Sequence, residues 1–204
     1  MSTRKGNFVT LEEVLELTRS RVREILAGRV KPEYQTTPAE QEQIAEIVAI
    51  GAVVFHELST DPARDVEFDV ERVVDFVGET GPYVQYAHTR CLSVIRKAGA
   101  TPGSIHFDPK IVARLGAPEE LALIKTLGQF PLHLERTLRF SKASQLAHAL
   151  IDTTKAFGAF YRECHVVNPE DPDLTRARLM LVESTRRVLS RGCALLGVPL
   201  PQKM

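Results

Sequence analysis

The sequence predicts an all-α protein, a helical bundle with a smaller helical appendage at its front, on three observations. Helix caps recur: Thr or Asp followed by proline, or by an acid three residues on, stands ahead of successive apolar runs. Behind these caps the apolar residues return at three- and four-residue intervals rather than alternating. No Gly-rich phosphate loop, internal repeat or low-complexity segment breaks the pattern.

The elements follow in chain order. Thr10 and Glu13 make a T-x-x-E capping box before Leu11, Val14, Leu15, Val22, Ile25 and Leu26, and Gly28 marks the stop. Thr37, Pro38 and Glu40 repeat the device before a helix through Ile44, Ile47, Val48 and Phe55. Residues 59–81, punctuated by Pro, Asp and Gly, predict a turn-rich or β-like connection and a boundary between 1–78 and 79–204. Pro82 then opens a helix running to Gly99, and TPGSIHFDP is a polar link. Pro118 with Glu119 and Glu120 opens another helix, Pro131 a further one, Ser141 or Ser144 a longer one, and Asp173 the last, ending at Gly197. At least six helices are expected.

With 204 residues and 44% hydrophobic content, the chain can bury a substantial core. There is no run of 18 apolar residues and no cleavable leader, so a cytoplasmic protein without a membrane span is expected. Cys91, Cys164 and Cys193 lack CxxC spacing and read as reduced core thiols; no metal and no cofactor are expected. The net charge of zero hides an asymmetry: residues 36–80 hold eleven acids against two bases, and residues 81–204 seventeen bases against ten acids. Such a division suits a chain whose second part faces a polyanion, although solvated charge also explains it.

The stretch GETGPYVQYAHTR, residues 78–90, holds the most unusual chemistry. At 100° per residue, with Tyr83 at zero, Arg90 falls near about −20°, Lys97 near about −40° and Tyr86 near about −60°. Val84, Ala87, Cys91, Val94, Ile95 and Ala98 gather on a separate core arc. Two rings and two cations on one stripe suit a single-stranded nucleotide, because aromatics stack on bases and cations meet phosphates. Half-buried tyrosines with hydroxyls at the surface give the same pattern without any ligand. On the last helix Arg176, Glu183, Arg187 and Arg191 share a face that reads as a solvated stripe or a phosphate track. The six histidines have no ligand spacing, and no nucleophile elbow, metal cluster or dinucleotide fingerprint is present, so no catalytic residue is nominated.

The run GETGPYVQYAHTR resembles the start of the anticodon-binding domain of arginyl-tRNA synthetases, G-[NE]-T-G-P-Y-[VL]-Q-Y-A-[HY]-x-R in that family. KGNFVTLEEVL, AIGAVVFHELS and VEFDVERVVDF resemble the helical region that precedes it. AFGAFYRECHVV and the closing LVESTRRVLSRGCALLGVPLPQKM resemble the family's last helices. Val77 stands where the family commonly has a glutamate. The resemblance implies a bundle like the class I synthetase anticodon-binding domain over 79–204, preceded by a helical linker over 1–78. It also implies a tRNA-binding module for the anticodon arm of arginine tRNA, with Tyr83, Gln85, Tyr86, His88, Arg90 and Lys97 as contacts. Tyr161 and Arg162, then Arg187 and Arg191, follow as further candidates.

The family's H-x-G-H motif and nucleotide-binding domain do not occur in this sequence. Ser2, Thr3 and Arg4 resemble a remnant of the second class I signature, K-M-S-K-S or K-M-S-x-R, which embraces ATP in the family. The chain is therefore not expected to aminoacylate alone. Two alternatives remain open: part of an arginine-tRNA ligase that works with a separate catalytic chain, and a repurposed anticodon-like domain acting in protein interaction or regulation.

Overall fold

The computed structural model describes residues 10–29, 37–65 and 67–204, and among them it contains eight helices and no strand. They are α1 (Leu11–Arg29), α2 (Pro38–Ser59), α3 (Val70–Val73), α4 (Gly81–Lys97), α5 (Pro109–Val112), α6 (Pro118–Phe140), α7 (Ala143–Glu163) and α8 (Pro172–Leu195). The remnant signature residues Ser2, Thr3 and Arg4 lie outside the described residues.

The predicted starts of α1 and α2 are built as written in the sequence. Glu13 accepts from the Thr10 N–H at 2.7 Å, Glu40 accepts from the Thr37 N–H at 2.8 Å, and each threonine hydroxyl accepts the N–H of its glutamate in return. Asp171 caps α8 by accepting the Leu174 N–H at 2.9 Å, two residues before the predicted start, and Gly197 takes the left-handed conformation after its end at φ 70°.

Of the two alternatives for the 59–81 connection the described residues take the turn-rich one: the chain turns, forms the short α3 behind the Asp69 cap, and turns again. Three expectations need correction. Within the 101–117 link, Asp108 and Pro109 start the short α5, whose Ile111 packs with Ala177 and Met180 of α8. Pro131 does not begin a helix but lies inside α6. An interior proline forfeits one backbone hydrogen bond, at a cost of about 3 kcal/mol. Here Leu127, Phe130 and Leu134 pack on the main core from both sides of Pro131, which keeps the helix continuous. Finally, Ser141 is the left-handed residue that ends α6 (φ 53°), and α7 starts at Ala143.

Two apolar clusters organise the molecule. The front one joins Val22 of α1 to Ile44, Val48 and Ala52 of α2 and to Val73, Val74 and Phe76. The larger one holds Phe55 from α2 together with α4, Leu123 of α6, α7, α8 and Val198. Phe55, Phe157 and Phe160 are fully buried in it, each contributing about 1.5–3 kcal/mol of apolar burial. Helix α2 therefore serves both clusters, and α4 lies against α2, α7 and α8. Two glycines permit the closest crossing: a Cβ on Gly81 would stand 2.4 Å from the Gly51 carbonyl oxygen, and one on Gly51 would stand 2.1 Å from Gln85 Nε2. The three cysteines are free and buried, and burial pushes the Cys193 thiol up to about 12.

Candidate nucleic-acid interface

Because α4 is walled by three helices, only a narrow side of it reaches solvent. Tyr83, Tyr86 and Arg90 are half-buried there, and Lys97 is exposed further along. This is the stripe that the helical periodicity predicts. Thr80 fixes its start, accepting the Tyr83 N–H at 3.3 Å while donating its hydroxyl to the Asp75 carbonyl.

Arg90 organises the open side. Its guanidinium carbon lies 4.6 Å from the Tyr86 ring centroid and 4.8 Å from that of Tyr161 on α7, so the cation sits over both rings. Its Nη2 also donates to the Tyr86 hydroxyl at 2.5 Å. Tyr161 leans on Phe157 with centroids 6.0 Å apart and remains 40% exposed, which leaves ring surface available to a ligand. The Tyr83 hydroxyl lies close to α7, 3.8 Å from where a Cβ on Gly158 would be. At the start of α4, Glu79 is ion-paired with Lys155 of α7, and the lysine holds that carboxyl below its usual range.

The structure brings Tyr83, Tyr86, Arg90 and Tyr161 to one seam between α4 and α7. Arg162 follows Tyr161, exposed and 3.4 Å from Glu163. Arg187 belongs elsewhere: it bonds Glu183 at 2.7 Å and approaches the carbonyls of Gly103 and Ile105 at 3.4 Å. Arg191 is exposed one turn further along α8.

Two predicted contacts do not reach the surface. Gln85 is fully buried; its Nε2 donates to the carbonyls of Ile47 at 3.1 Å and Pro199 at 2.7 Å, tying α4 to α2 and to the C-terminal segment. His88 is 3% exposed between α4 and α8, and neither ring nitrogen has a hydrogen-bond partner among the described residues. Desolvation, reinforced by Arg186, lowers its pKa to about 4. The helical wheel held the signal for both, since it puts Gln85 about 200° and His88 about 140° from Tyr83. Glu183, expected on a solvated face, is also buried, with its side chain 2% exposed. Burial works to raise its carboxyl, but hydrogen bonds from Arg186 and Arg187 outweigh this and hold it below the usual range.

Beside the start of α4 opens a cavity of about 260 Å³ lined by His56, Arg72, Asp75, Glu79 and Thr80 among others. Asp75 and Glu79 against Arg72 give it no excess of positive charge, so it does not extend the cationic stripe. Among the described residues no group of three or more His, Cys, Asp or Glu could hold a metal, and no helix is long and apolar enough to cross a membrane.

Residues 84–204 match the family model described as the DALR anticodon binding domain, and residues 1–70 match that of the tRNA synthetases class I (R) catalytic domain. The arginine–tRNA ligase of Alkaliphilus metalliredigens is 37% identical over 204 residues, covering 100% of this chain and 34% of that protein. That of Chloroflexus aurantiacus is 35% identical over 206 residues, covering 100% of this chain and 35% of its own length. The chain thus spans about a third of the length of the curated relatives it matches. Among solved structures, Thermus thermophilus arginyl-tRNA synthetase superposes with a TM-score of 0.82 at 32% identity, over 96% of this chain and 32% of that one. The Plasmodium falciparum arginyl-tRNA synthetase reaches a TM-score of 0.79 at 24% identity over 97% of this chain and 34% of its own, which shows the fold.

Proposed function

From the premise that this chain belongs to the family of DALR anticodon-binding domains, we propose that it holds tRNA, and specifically arginine tRNA, by the anticodon arm. The observation that carries this reading is the seam of Tyr86, Arg90 and Tyr161. A cation between two partly open rings on a rigid helix pair offers unstacked bases a platform, worth about 1–3 kcal/mol for each base that stacks. Tyr83 extends the platform. Lys97, Arg162 and Arg191 supply exposed cations for the backbone, with Arg187 held in reserve by Glu183. Phosphate neutralisation makes such binding salt-dependent.

The test is a titration of the purified chain against arginine tRNA and an anticodon-swapped copy at two salt concentrations, with Tyr83→Ala/Tyr86→Ala and Tyr161→Ala alongside. Preferential binding to the arginine tRNA, weakened by salt and lost in both variants, supports the reading. No binding to either RNA sinks it and favours a protein-interaction role instead.

A second reading rests on the match of residues 1–70 to a class I catalytic domain. In it the chain completes an arginine-tRNA ligase whose catalytic part is supplied separately. Arginylation that appears only when such a catalytic chain is mixed with this one supports it, and unchanged activity on mixing removes it.

A further inference from the structure

We infer that Lys155 is a phosphate-binding residue of the seam between α4 and α7, held by Glu79 in the free protein and passed to the RNA backbone on binding. The inference rests on the tRNA reading and deepens it, adding a residue that neither the periodicity of α4 nor the family resemblance nominates.

The two sides of the seam meet in register. Lys155, Gly158 and Tyr161 follow one another at three-residue steps and so share one side of α7. Opposite them, in the same order, stand Glu79 just ahead of α4, Tyr83 and Arg90. Lys155 is ion-paired with Glu79, the Tyr83 hydroxyl lies 3.8 Å from where a Cβ on Gly158 would be, and the Arg90 guanidinium carbon lies 4.8 Å from the Tyr161 centroid. Lys155 and Tyr161 are thus about 9 Å apart along the helix axis, with Tyr83 between them and near enough to act on the Lys155 ammonium. A base stacked on these rings carries its backbone past both ends of the row.

The cations at the two ends are held differently. Arg90 lies over the rings of Tyr86 and Tyr161 and donates to the Tyr86 hydroxyl, so its planar group is committed to the platform itself. The Lys155 side chain is 51% exposed and that of Glu79 62%. An ion pair so open to water adds little to stability, so exchanging its partner costs little. A phosphate offers the ammonium the same charge with more acceptor oxygens and releases condensed counterions as it is neutralised. Glu79 opposes that exchange twice, by holding Lys155 and by repelling the backbone. Removing Lys155 and removing Glu79 therefore act in opposite directions on RNA binding, which a staple that merely fixes α4 against α7 does not do.

The test is a titration against arginine tRNA of the wild type, Lys155→Met, Glu79→Gln and the double variant, each at several salt concentrations, with Tyr83→Ala/Tyr86→Ala alongside. Lys155→Met should weaken binding about fivefold, and Glu79→Gln should strengthen it about threefold. The double variant should bind more weakly than Glu79→Gln alone, with a salt slope lower by about 0.7–0.9, the share of one phosphate. Both side chains are exposed, and equal melting temperatures would show that the variants are folded. Single substitutions that weaken binding alike overturn the inference and leave the pair a staple. Binding indifferent to Lys155→Met but lost in Tyr83→Ala/Tyr86→Ala overturns it while the tRNA reading stands. A wild type that binds no tRNA removes both.

Discussion

Replacing His88 with leucine should flatten the dependence of stability on pH between 7 and 5. The imidazole is 3% exposed between α4 and α8, feels Arg186 and Glu183, and has no hydrogen bond at either nitrogen among the described residues. Desolvation and the neighbouring Arg186 lower its pKa from the ordinary 6.5 to about 4. Since the folded pKa lies below the unfolded one, unfolding takes up a proton at any pH between them. The stability linked to neutral His88 is therefore present in full above about 6.5 and is lost as pH falls toward about 4. Integrated over that difference, the loss between pH 7 and pH 5 is about 2 kcal/mol. The carboxyls of Glu183, Glu120 and Asp171 are also held below their usual range, but they titrate lower and equally in both proteins. Urea unfolding of the wild type and His88→Leu at pH 7 and pH 5 measures the difference. At pH 7 the variant should be at least as stable as the wild type, because it removes two unpartnered buried polar atoms while nearly conserving volume. Equal losses in the two proteins on acidification would refute the reasoning and mean that His88 is hydrated or bonded in solution.

Three more expectations come from the same helix. Gln85→Leu leaves the carbonyls of Ile47 and Pro199 without their donor and should cost about 1–3 kcal/mol in thermal or urea unfolding; an unchanged melting temperature would mean that water replaces the amide. Gly81→Ala places a Cβ 2.4 Å from backbone oxygen, where no side chain can yield, and overpacking should destabilise by about 1–3 kcal/mol; wild-type stability in the same assay would count against the close crossing of α2 and α4. Arg90→Lys keeps the charge but loses the planar group lying over Tyr86 and Tyr161. Arginine-tRNA affinity should fall about tenfold with an unchanged salt slope, whereas a slope reduced by about one would show that Arg90 meets a phosphate.

The sequence by itself determined the all-helical class, the capped starts of α1 and α2 and the open side of α4. Thr10 with Glu13, Thr37 with Glu40, and the Tyr83, Tyr86, Arg90, Lys97 stripe are all written by groups within a few turns of one another. The resemblance carried by GETGPYVQYAHTR pointed to the family that the match of residues 84–204 shows. Tertiary structure decided what no local rule contains. Gln85 is buried because carbonyls 38 and 114 residues away close on it, and Tyr161 joins the seam because Arg90 reaches across from another helix. Pro131 sits inside α6 because apolar packing outweighs the hydrogen bond that its ring forfeits. Local hydrogen bonds and periodicity act within about four residues, so they can be read along the chain, whereas burial depends on which distant helix arrives to remove the water.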